Sequence, residues 1–271
     1  MDKKKGANQD ANVVSGFGDE WSRFDQSTLD SKELDELYRL YFGIFPFKKL
    51  AKNAVGFDLG SGSGRWARCV APRVGKLICI DASREALAVA RRNLASQKNC
   101  EFVNASVGQL PLANGSMDFG YSLGVLHHVP DTVAGLRECV AKLKHGAPFL
   151  LYLYYAFDGR PIWFRGLWKA SDLVRRIIAG LPHSGRYVSS QLMAGSVYFP
   201  LARTAWLLEK LKVNVENFPL SFYRHRSFYT MRTDALDRFG TRLEQRFTRE
   251  QIEKMMQGRL FLVKGTRSCR A

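Results

Sequence analysis

The sequence lacks the cysteine patterns that hold metals or stabilise secreted proteins. Its 271 residues include five cysteines, none of them in a C-x-x-C pair, and two of the five lie within apolar runs. Histidines and cysteines are not clustered, so no metal site is predicted. We therefore expect reduced, buried thiols of the kind found in cytoplasmic proteins.

Long apolar runs are also lacking. The longest, at residues 147–157, is too short to span a bilayer and suits a central strand of a sheet. The chain opens with M-D-K-K-K-G and no apolar stretch follows, which is not the pattern of a signal peptide. With 46% apolar residues, the chain can bury one sizeable core. We expect no membrane span and a cytoplasmic location.

Negative charge is scarce in the second part of the chain. Residues 1–150 carry 20 Lys and Arg against 16 Asp and Glu, whereas residues 151–271 carry 21 against 9. The net charge of the second part is therefore +12 of the total of +16. Such a field attracts nucleic acid, an anionic lipid surface or an acidic small molecule, and does not by itself choose among them.

The strongest motif is a glycine-rich segment at residues 55–66, V-G-F-D-L-G-S-G-S-G-R-W. Its apolar start indicates a buried strand, and Gly60, Gly62 and Gly64 indicate a sharp turn where backbone approaches a ligand closely. A dinucleotide-binding loop would need its third glycine at position 65, which is Arg65, and a P-loop would need a following Lys. Both alternatives are therefore disfavoured.

A second strand, K-L-I-C-I-D, ends in Asp81. An acidic residue about 20 positions beyond the glycines lies at the tip of the next strand, where its carboxylate can accept both ribose hydroxyls of a nucleotide. The alternative is that Asp81 caps the following helix. Ser83 is the better N-cap, because Leu87 and Leu94 follow it within a helical pattern.

A third signal follows in the same order along the chain. It consists of C-E-F-V-N-A-S-V-G-Q-L-P-L at residues 100–112 and S-M-D-F-G-Y-S-L-G-V-L-H-H-V-P-D at residues 116–131. Together with the D-x-G-x-G-x-G pattern that begins at Asp58, these segments resemble class I S-adenosylmethionine (SAM) dependent methyltransferases. They are most similar to the small-molecule enzymes of the ubiquinone and menaquinone type, and the resemblance covers residues 55–155.

The resemblance implies a SAM site. Ser106 and Val107 would flank the adenine, Asp118 would begin the fourth strand, and the chain at Leu123 would pass under the methionine part. The family usually has an acidic residue at position 106, and a serine holds the adenine amino group more weakly. The implied cofactor-binding residues are Asp58, Gly60, Ser61, Gly62, Gly64, Asp81, Ala82, Ser106, Val107 and Leu123.

The central part of the chain alternates between strand and helix patterns. Strands are predicted near residues 55–59, 77–80, 101–104, 119–123 and 149–155, which indicates an α/β fold with a Rossmann-like, doubly wound, mostly parallel sheet. A disordered tail (1–15) would precede one methyltransferase domain (16–271). That domain would comprise a helical cap (16–50), a SAM-binding core (51–157), a helical insertion (158–230) and a C-terminal segment (231–271).

Both flanking parts carry further expectations. In the cap, Trp21 and Phe24 would help to close the cofactor mouth, or would simply pack on the domain. In the C-terminal segment, Thr248 and Gln251 would open a last helix that ends at Gly258, before a strand at residues 260–263. The remaining K-G-T-R-S-C-R-A is too polar for a core strand, so the final β-hairpin is expected to be short or missing.

The insertion reads as helices over residues 163–180 and 189–212, the second bent at Pro200. An insertion after the fifth strand lies above the carboxyl edge of the sheet, so this one is a candidate substrate lid, with plain packing as the alternative. Arg224 and Arg226 lie among aromatic residues and could bind an anionic substrate through their guanidinium groups. The alternative is a solvated arginine face paired with acids.

Four further side chains are candidates for the chemistry. His127 and His128 follow the fourth strand, where one could act as a base or orient the acceptor. The alternative for both is a structural role in the turn before Pro130. Tyr154 and Tyr155 end the fifth strand on the same rim and are candidates for contact with substrate.

The sequence therefore predicts a SAM-dependent methyltransferase that acts on an O, N or C atom of a small-molecule acceptor, anionic metabolites included. No N-P-P-Y or D-P-P-Y segment follows the fourth strand, as it would in amino-directed nucleic-acid methyltransferases. An RNA methyltransferase that uses the basic half stays an alternative. Another is a degenerate, non-catalytic SAM-binding or interaction protein, favoured by Ser106 and the short C-terminal end.

Overall fold

The computed structural model describes residues 8–256, which divide into two compact units. The sheet unit comprises residues 8–28, 36–156 and 243–256. The helical unit comprises residues 29–35 and 157–242. The predicted insertion began at residue 158, close to the observed boundary, but its predicted end at residue 230 falls inside a helix.

The sheet has five strands among the described residues: β1 Val55–Leu59, β2 Lys76–Asp81, β3 Cys100–Asn104, β4 Phe119–Leu123 and β5 Phe149–Tyr152. They run in the order β3-β2-β1-β4-β5, and every pairing is parallel. The predicted Rossmann-like parallel sheet is confirmed. The strand order reverses between β1 and β4, and open α/β sheets bind ligands outside the carboxyl ends of strands at such a point.

The strands are flanked by helices α1 Ala11–Arg23, α2 Ser31–Phe42, α3 Arg65–Val70, α4 Arg84–Asn93 and α5 Thr132–Lys142. The later helices are α6 Ile162–Ala179, α7 His183–Met193, α8 Phe199–Lys210, α9 Phe228–Gly240 and α10 Arg249–Met256. One core cluster joins Phe57 and Ile80 of the sheet to Leu136 and Cys139 of α5, with Met255 of α10 against it. Burial of these apolar side chains is the main favourable term in the stability of the sheet unit.

The N-terminal prediction needs correction. Residues 11–15 were assigned to a disordered tail, but they form the first turns of α1. The Asp10 carboxylate accepts hydrogen bonds from the backbone N–H groups of Asn12 and Val13, and Val13 is buried. Asn8 exchanges two hydrogen bonds with the backbone of Asp131. The polar composition gave no signal for this first turn, because the turn is stabilised by the Asp10 cap and by the contact of Asn8 with the distant Asp131.

The fifth strand is shorter than predicted. It ends at Tyr152, and Tyr155 instead forms an isolated parallel bridge with Phe247. The backbone N–H of Phe247 donates to the Tyr154 carbonyl at 2.9 Å, and the N–H of Ala156 donates to the Phe247 carbonyl at 3.0 Å. Phe247 therefore forms backbone hydrogen bonds with Tyr154 and Ala156, in the stretch where the sequence pattern predicted that β5 would continue.

The bend at Pro200 takes the form of a π-helical turn. The predicted helix over residues 189–212 begins earlier, at His183, and Ala194–Tyr198 are π-helical between α7 and α8. Proline has no N–H, and its ring crowds the carbonyl four residues before it, so the preceding turn widens. In this unit Ala194, Tyr198 and Ala202 pack with Met231 and Phe239 of α9 in one core.

The capping box of α10 is confirmed. The Thr248 N–H donates to Gln251 Oε1 at 2.8 Å, and the Gln251 N–H donates to Thr248 Oγ1 at 3.2 Å. The predicted helix end at Gly258, the strand at residues 260–263 and the short or missing hairpin lie outside the described residues.

Candidate functional site

The glycine loop between β1 and α3 has a backbone that other residues adopt only with strain. Gly60, Gly62 and Gly64 have φ angles of 75°, 52° and 78°. A Cβ atom at Gly60 would lie 2.2 Å from Val125 Cγ2, and one at Gly64 would lie 2.9 Å from Leu94 Cδ1. The N–H groups of Gly60 and Ser61 both donate to the Ile80 carbonyl, so the loop stays beside the end of β2.

Asp81 holds this loop from the tip of β2. Its Oδ2 accepts a hydrogen bond from the Gly62 N–H at 2.9 Å, and its Oδ1 accepts one from the Ser83 N–H at 2.9 Å. Burial raises the pKa of Asp81, while the bonds from Ser83 and Gly62 lower it. Ser83 caps α4, because its hydroxyl accepts from the Ala86 N–H. The carboxylate of Asp81 thus faces the glycine loop.

Asp58 is a buried carboxyl group at the end of β1. Only 1% of its surface is exposed, and its Oδ2 has no hydrogen-bond partner among the described residues. Burial raises the pKa of Asp58 to about 8. The neighbouring Tyr121 lowers this pKa, and the charge of Asp81 raises it. Asp58 is therefore mostly protonated at neutral pH.

Three more buried polar atoms around the loop have no partner in the described part of the chain: Ser61 Oγ, Ser63 Oγ and Arg65 Nε. Buried polar groups in folded proteins are nearly always hydrogen-bonded, so four such atoms between the end of β1 and the start of α3 require an explanation. A polar ligand in the loop would satisfy them. The glycine backbone leaves room for close approach, so the residues present fit a nucleoside-type cofactor.

Two asparagines that sequence reasoning missed keep the loop and the strand tips together. Asn93 Nδ2, at the end of α4, donates to the carbonyls of Ser63 at 2.9 Å and Asp25 at 2.6 Å. Asn104 Nδ2 donates to the carbonyls of Asp81 at 3.0 Å and Ala82 at 2.9 Å. No sequence signal marks either residue, because its partners are distant in the chain.

Helix α1 lies across the carboxyl ends of the strands. A Cβ atom at Gly62 would lie 2.8 Å from Trp21 Cε2, so the indole rests against the glycine loop. Phe17 contacts the ring of His128, with centroids 5.1 Å apart. Phe24 is buried. Trp21 is thus in position to cover a ligand in the loop, whereas Phe24 packs inside the unit.

The other implied cofactor residues lie on the same edge of the sheet. Ala82 follows β2, and Leu123 is the last residue of β4, where it pairs with Tyr152. Ser106 is half-buried in the loop after β3, and its carbonyl accepts from the Gln109 N–H. Val107 is buried in the core cluster. Their contacts with an adenine or a methionine group stay predictions.

His127 is fully buried and stacked on a tyrosine. Its ring lies 3.7 Å from that of Tyr154, and neither ring nitrogen has a hydrogen-bond partner within residues 8–256. Burial lowers the pKa of His127 well below its usual value, and the charges of His128 and Arg246 lower it further. The ring is therefore neutral at physiological pH, and its catalytic role stays a prediction.

His128 and its turn are held in place by residues 243–245 of the sheet unit. Its Nδ1–H donates to the Leu243 carbonyl at 2.7 Å. Gln245 also contacts this turn, since its N–H donates to the His127 carbonyl and its amide to the Val129 carbonyl. These contacts favour the alternative in which His128 has a structural role in the turn before Pro130.

Aromatic rings line the rim around Tyr154. The guanidinium of Arg246 lies 5.0 Å from the Tyr154 ring centroid, pairs with Glu244 at 2.7 Å, and donates to the Tyr155 carbonyl at 3.1 Å. Tyr41 joins the rim through edge contact with Tyr152. Tyr154 is thus held between His127 and Arg246. Sequence reasoning missed Arg246 and Tyr41, which nothing in the local pattern marks.

Arg224 and Arg226 lie in the helical unit, where both make internal contacts. Arg224 Nε pairs with Glu209 at 2.8 Å, and its Nη1 donates to the Ser221 carbonyl. The Arg226 guanidinium lies 5.3 Å from the Phe222 ring centroid. These contacts favour the alternative of a paired arginine face, and substrate binding by the two arginines stays a prediction.

No group of three or more His, Cys, Asp or Glu side chains in residues 8–256 could hold a metal ion. Across the same range, no helix combines the length and apolarity needed to cross a membrane.

The chain is similar to known proteins over its middle part. Residues 57–151 match the family described as "Methyltransferase domain". Over 102 residues the chain is 32% identical to the uncharacterized methyltransferase YcgJ of Bacillus subtilis, a match covering 36% of this chain and 40% of that protein. Over 99 residues it is 30% identical to a demethylmenaquinone methyltransferase of Staphylococcus aureus, covering 35% and 41%.

The crystal structure of YcgJ is similar with a TM-score of 0.41 and 24% identity, covering 50% of this chain and 56% of that one. This chain therefore spans about two fifths of the length of the curated relatives it matches.

Proposed function

We propose that the whole chain transfers a methyl group from SAM to a small-molecule acceptor, because residues 57–151 match the family described as "Methyltransferase domain" and the three sequence motifs indicated the same class. The observation that carries the proposal is the glycine loop itself. Three glycines at positive φ stand beside four buried polar atoms that have no partner in the described chain.

The chain's own residues would hold SAM at the ends of β1, β2 and β4. Asp81 would accept hydrogen bonds from the ribose hydroxyls, and Asn93 and Asn104 would keep the loop and the strand tips in place. Ser61 and Ser63 supply hydroxyl groups at the loop. When bound, SAM supplies a methyl group that its sulfonium has already activated.

Orientation and exclusion of water are the main tasks left to the protein. Trp21 covers the loop at Gly62 and shields it from solvent. Asp58 holds a proton at its carboxyl group up to about pH 8, so it can donate a hydrogen bond at neutral pH. An apolar wall of aromatic rings at Tyr41, Trp66 and Tyr152 stands at the same edge.

The acceptor is best described as a small molecule with an aromatic or apolar part that packs on these rings. Arg246 does not favour an anion at the rim, because Glu244 neutralises it. Support for an anionic acceptor comes only from the excess of positive charge in residues 151–271. His127 is neutral and able to accept a proton, but its ring is fully buried, so a base role requires the acceptor to reach it inside the sheet unit.

A SAM-binding protein without turnover is the second candidate. It is favoured by Ser106, which stands where related enzymes usually have a carboxylate. Cofactor binding with no methyl transfer to any acceptor in a screen with labelled SAM would favour this candidate over the enzyme.

The first experiment is a calorimetric titration of the full chain with SAM. We expect micromolar binding by the wild type and at least tenfold weaker binding by Gly62→Ala, which strains the loop and collides with Trp21. Gly115→Ala is the matched control, because Gly115 also has a positive φ, of 65°, but a Cβ atom there would meet nothing within 4 Å.

Two outcomes would count against the proposed cofactor site. The first is a folded wild type that does not bind SAM. The second is equal loss of SAM affinity in Gly62→Ala and Gly115→Ala, because the effect would then come from backbone strain at any position. The double variant Trp21→Ala/Gly62→Ala separates the collision from the strain and should recover part of the affinity.

A further inference from the structure

Helix α6 turns its apolar side to solvent. Ile162 is 79% exposed and Ile177 is 64% exposed, and four more large apolar residues of the helix are exposed as well. At about 100° per residue, all six fall within an arc of about 140°. The six residues of this stripe are Ile162, Trp163, Leu167, Leu173, Val174 and Ile177. Single exposed apolar residues are ordinary, but a continuous stripe marks an interaction surface.

The opposite side of α6 is fixed inward by charged residues. Asp172 and Arg175 are both buried and pair at 2.7 Å, and Arg175 Nη1 donates to the Thr241 carbonyl at 2.8 Å. Rotation of the helix to bury its apolar stripe would break this hydrogen-bonded ion pair and leave a charge unpaired in the interior. The helix is therefore held with its apolar stripe outward.

Positive charge borders the stripe. Arg165, Lys169 and Arg176 are exposed and lie next to it on the helical wheel. The only acid of α6 is Asp172, which also pairs with Arg176 at 2.9 Å. Residues 162–210 contain seven Lys and Arg against two Asp and Glu, and the second acid, Glu209, pairs with Arg224.

The same composition continues along the next two helices. Two of their exposed residues, Trp206 and Phe199, are aromatic, and tryptophan is enriched where an apolar layer meets water. The other exposed residues are aliphatic and lie four positions apart in two pairs, Val188 with Leu192 and Leu207 with Leu211. The exposed apolar residues of this stretch are Val188, Leu192, Phe199, Trp206, Leu207 and Leu211.

We propose that the apolar stripe of α6 rests in the surface layer of an anionic lipid bilayer. A helix with exposed Trp, Leu and Ile on one side and Lys and Arg beside them binds such a surface in its plane. Anionic headgroups complement the basic border. A second copy of this chain would bring the same positive charge to the contact, and an RNA would not use the apolar residues. The proposal does not rest on methyl transfer.

The test is flotation of the purified full chain with vesicles. Vesicles of phosphatidylcholine alone are compared with vesicles that also contain phosphatidylglycerol. We expect at least tenfold stronger binding to the anionic vesicles, weakened by added salt. Leu173→Glu and Ile177→Glu should each reduce binding at least tenfold. Ile44→Glu is the matched control, since Ile44 is an exposed apolar residue of the sheet unit.

A second set of variants tests the basic border. Arg165→Ala and Lys169→Ala should each weaken binding to anionic vesicles by roughly fivefold. Arg68→Ala, an exposed arginine of α3, should leave it unchanged. Circular dichroism and SAM titration of every variant separate a loss of lipid binding from a loss of fold or of the cofactor site.

Three results would overturn the proposal. One is no binding to anionic vesicles by the folded chain. Another is binding that falls with the charge variants but not with Leu173→Glu or Ile177→Glu, which would indicate an electrostatic surface such as one for RNA. The third is a dimer in light scattering that the α6 variants dissociate, which would make a second copy of the chain the occupant.

Discussion

The Asp81 carboxylate and the Gly62 backbone N–H are joined by a hydrogen bond of 2.9 Å, which links the tip of β2 to the middle of the glycine loop. A second bond, from the Ser83 N–H, fixes the other carboxylate oxygen. An acceptor that is already oriented binds its ligand at a lower cost in conformational entropy. The two residues that the sequence pattern singled out most clearly therefore act as one unit.

The first prediction concerns this pair. Asp81→Asn should weaken SAM binding by roughly tenfold to a hundredfold, because hydrogen bonds to a charged group are stronger than those to an amide. Stability should fall by about 1–2 kcal/mol, because the single amide oxygen of Asn can accept from only one of the Gly62 and Ser83 N–H groups. Calorimetry and thermal unfolding measure the two effects. Asp118→Asn is the control, because that carboxylate also accepts a backbone N–H, from Val55, but at the amino end of β4. Equal SAM affinity in Asp81→Asn and the wild type would contradict the assignment.

The second prediction is a pH dependence from Asp58. Because burial raises its pKa from 3.8 to about 8, the folded state keeps a proton that the unfolded chain releases above about pH 4. Asp58 therefore destabilises the fold increasingly as pH rises towards 8, with a limit on the order of 5 kcal/mol.

Urea unfolding of the wild type and Asp58→Asn at about pH 5 and about pH 8 tests this linkage. The free energy of unfolding of the variant, relative to the wild type, should be higher at the upper pH. The difference between the two proteins cancels the opposite trend that arises from carboxylates with lowered pKa values, such as Asp118. A difference that does not change with pH would show that Asp58 is ionised in the folded state.

The third prediction uses the stacking of His127 on Tyr154. The pKa of His127 is held well below 6.5 by burial, so its unfolded form gains a proton first as pH falls. Stability is lost below about pH 6.5, by up to roughly 1.4 kcal/mol per pH unit. His127→Phe keeps an aromatic ring against Tyr154 and should remove this acid sensitivity.

Denaturant unfolding of wild type and His127→Phe at about pH 5 and about pH 7 measures the effect. His127→Ala serves as the comparison for packing, because it leaves a cavity under Tyr154 and should cost about 3 kcal/mol at about pH 7, and less at about pH 5, where His127 has itself destabilised the wild type. Identical acid sensitivity in the wild type and the Phe variant would mean that His127 is charged in the folded protein.

The fourth prediction concerns the buried pair of α6. Asp172→Ala should destabilise the helical unit by about 3–5 kcal/mol, because it leaves Arg175 charged and buried. The double variant Asp172→Leu/Arg175→Met should recover most of this loss. Thermal unfolding followed by circular dichroism measures both. The exposed pair of Arg249 and Glu253 is the control, and Glu253→Ala should cost below about 1 kcal/mol. A single-variant loss no larger than that control would mean that Arg175 reaches water.

Features set by residues close together in the chain were predictable from the sequence. Gly60, Gly62 and Gly64 require a backbone that only glycine adopts freely, so their spacing indicates the loop. Ser83 caps its helix as the local pattern indicates, because a cap depends on N–H groups two or three positions away. Apolar runs of parallel strands likewise marked β1 and β2.

Features set by distant partners were decided only by the tertiary structure. Trp21 rests against Gly62, Asn93 holds Ser63, and Arg246 covers Tyr154, although nothing in the neighbouring sequence marks any of these contacts. In α6 the helical period showed that one side is apolar, but not that this side faces out. The structure decided it, because Arg175 finds Asp172 and the Thr241 carbonyl inside, and a buried charge must stay with its partners.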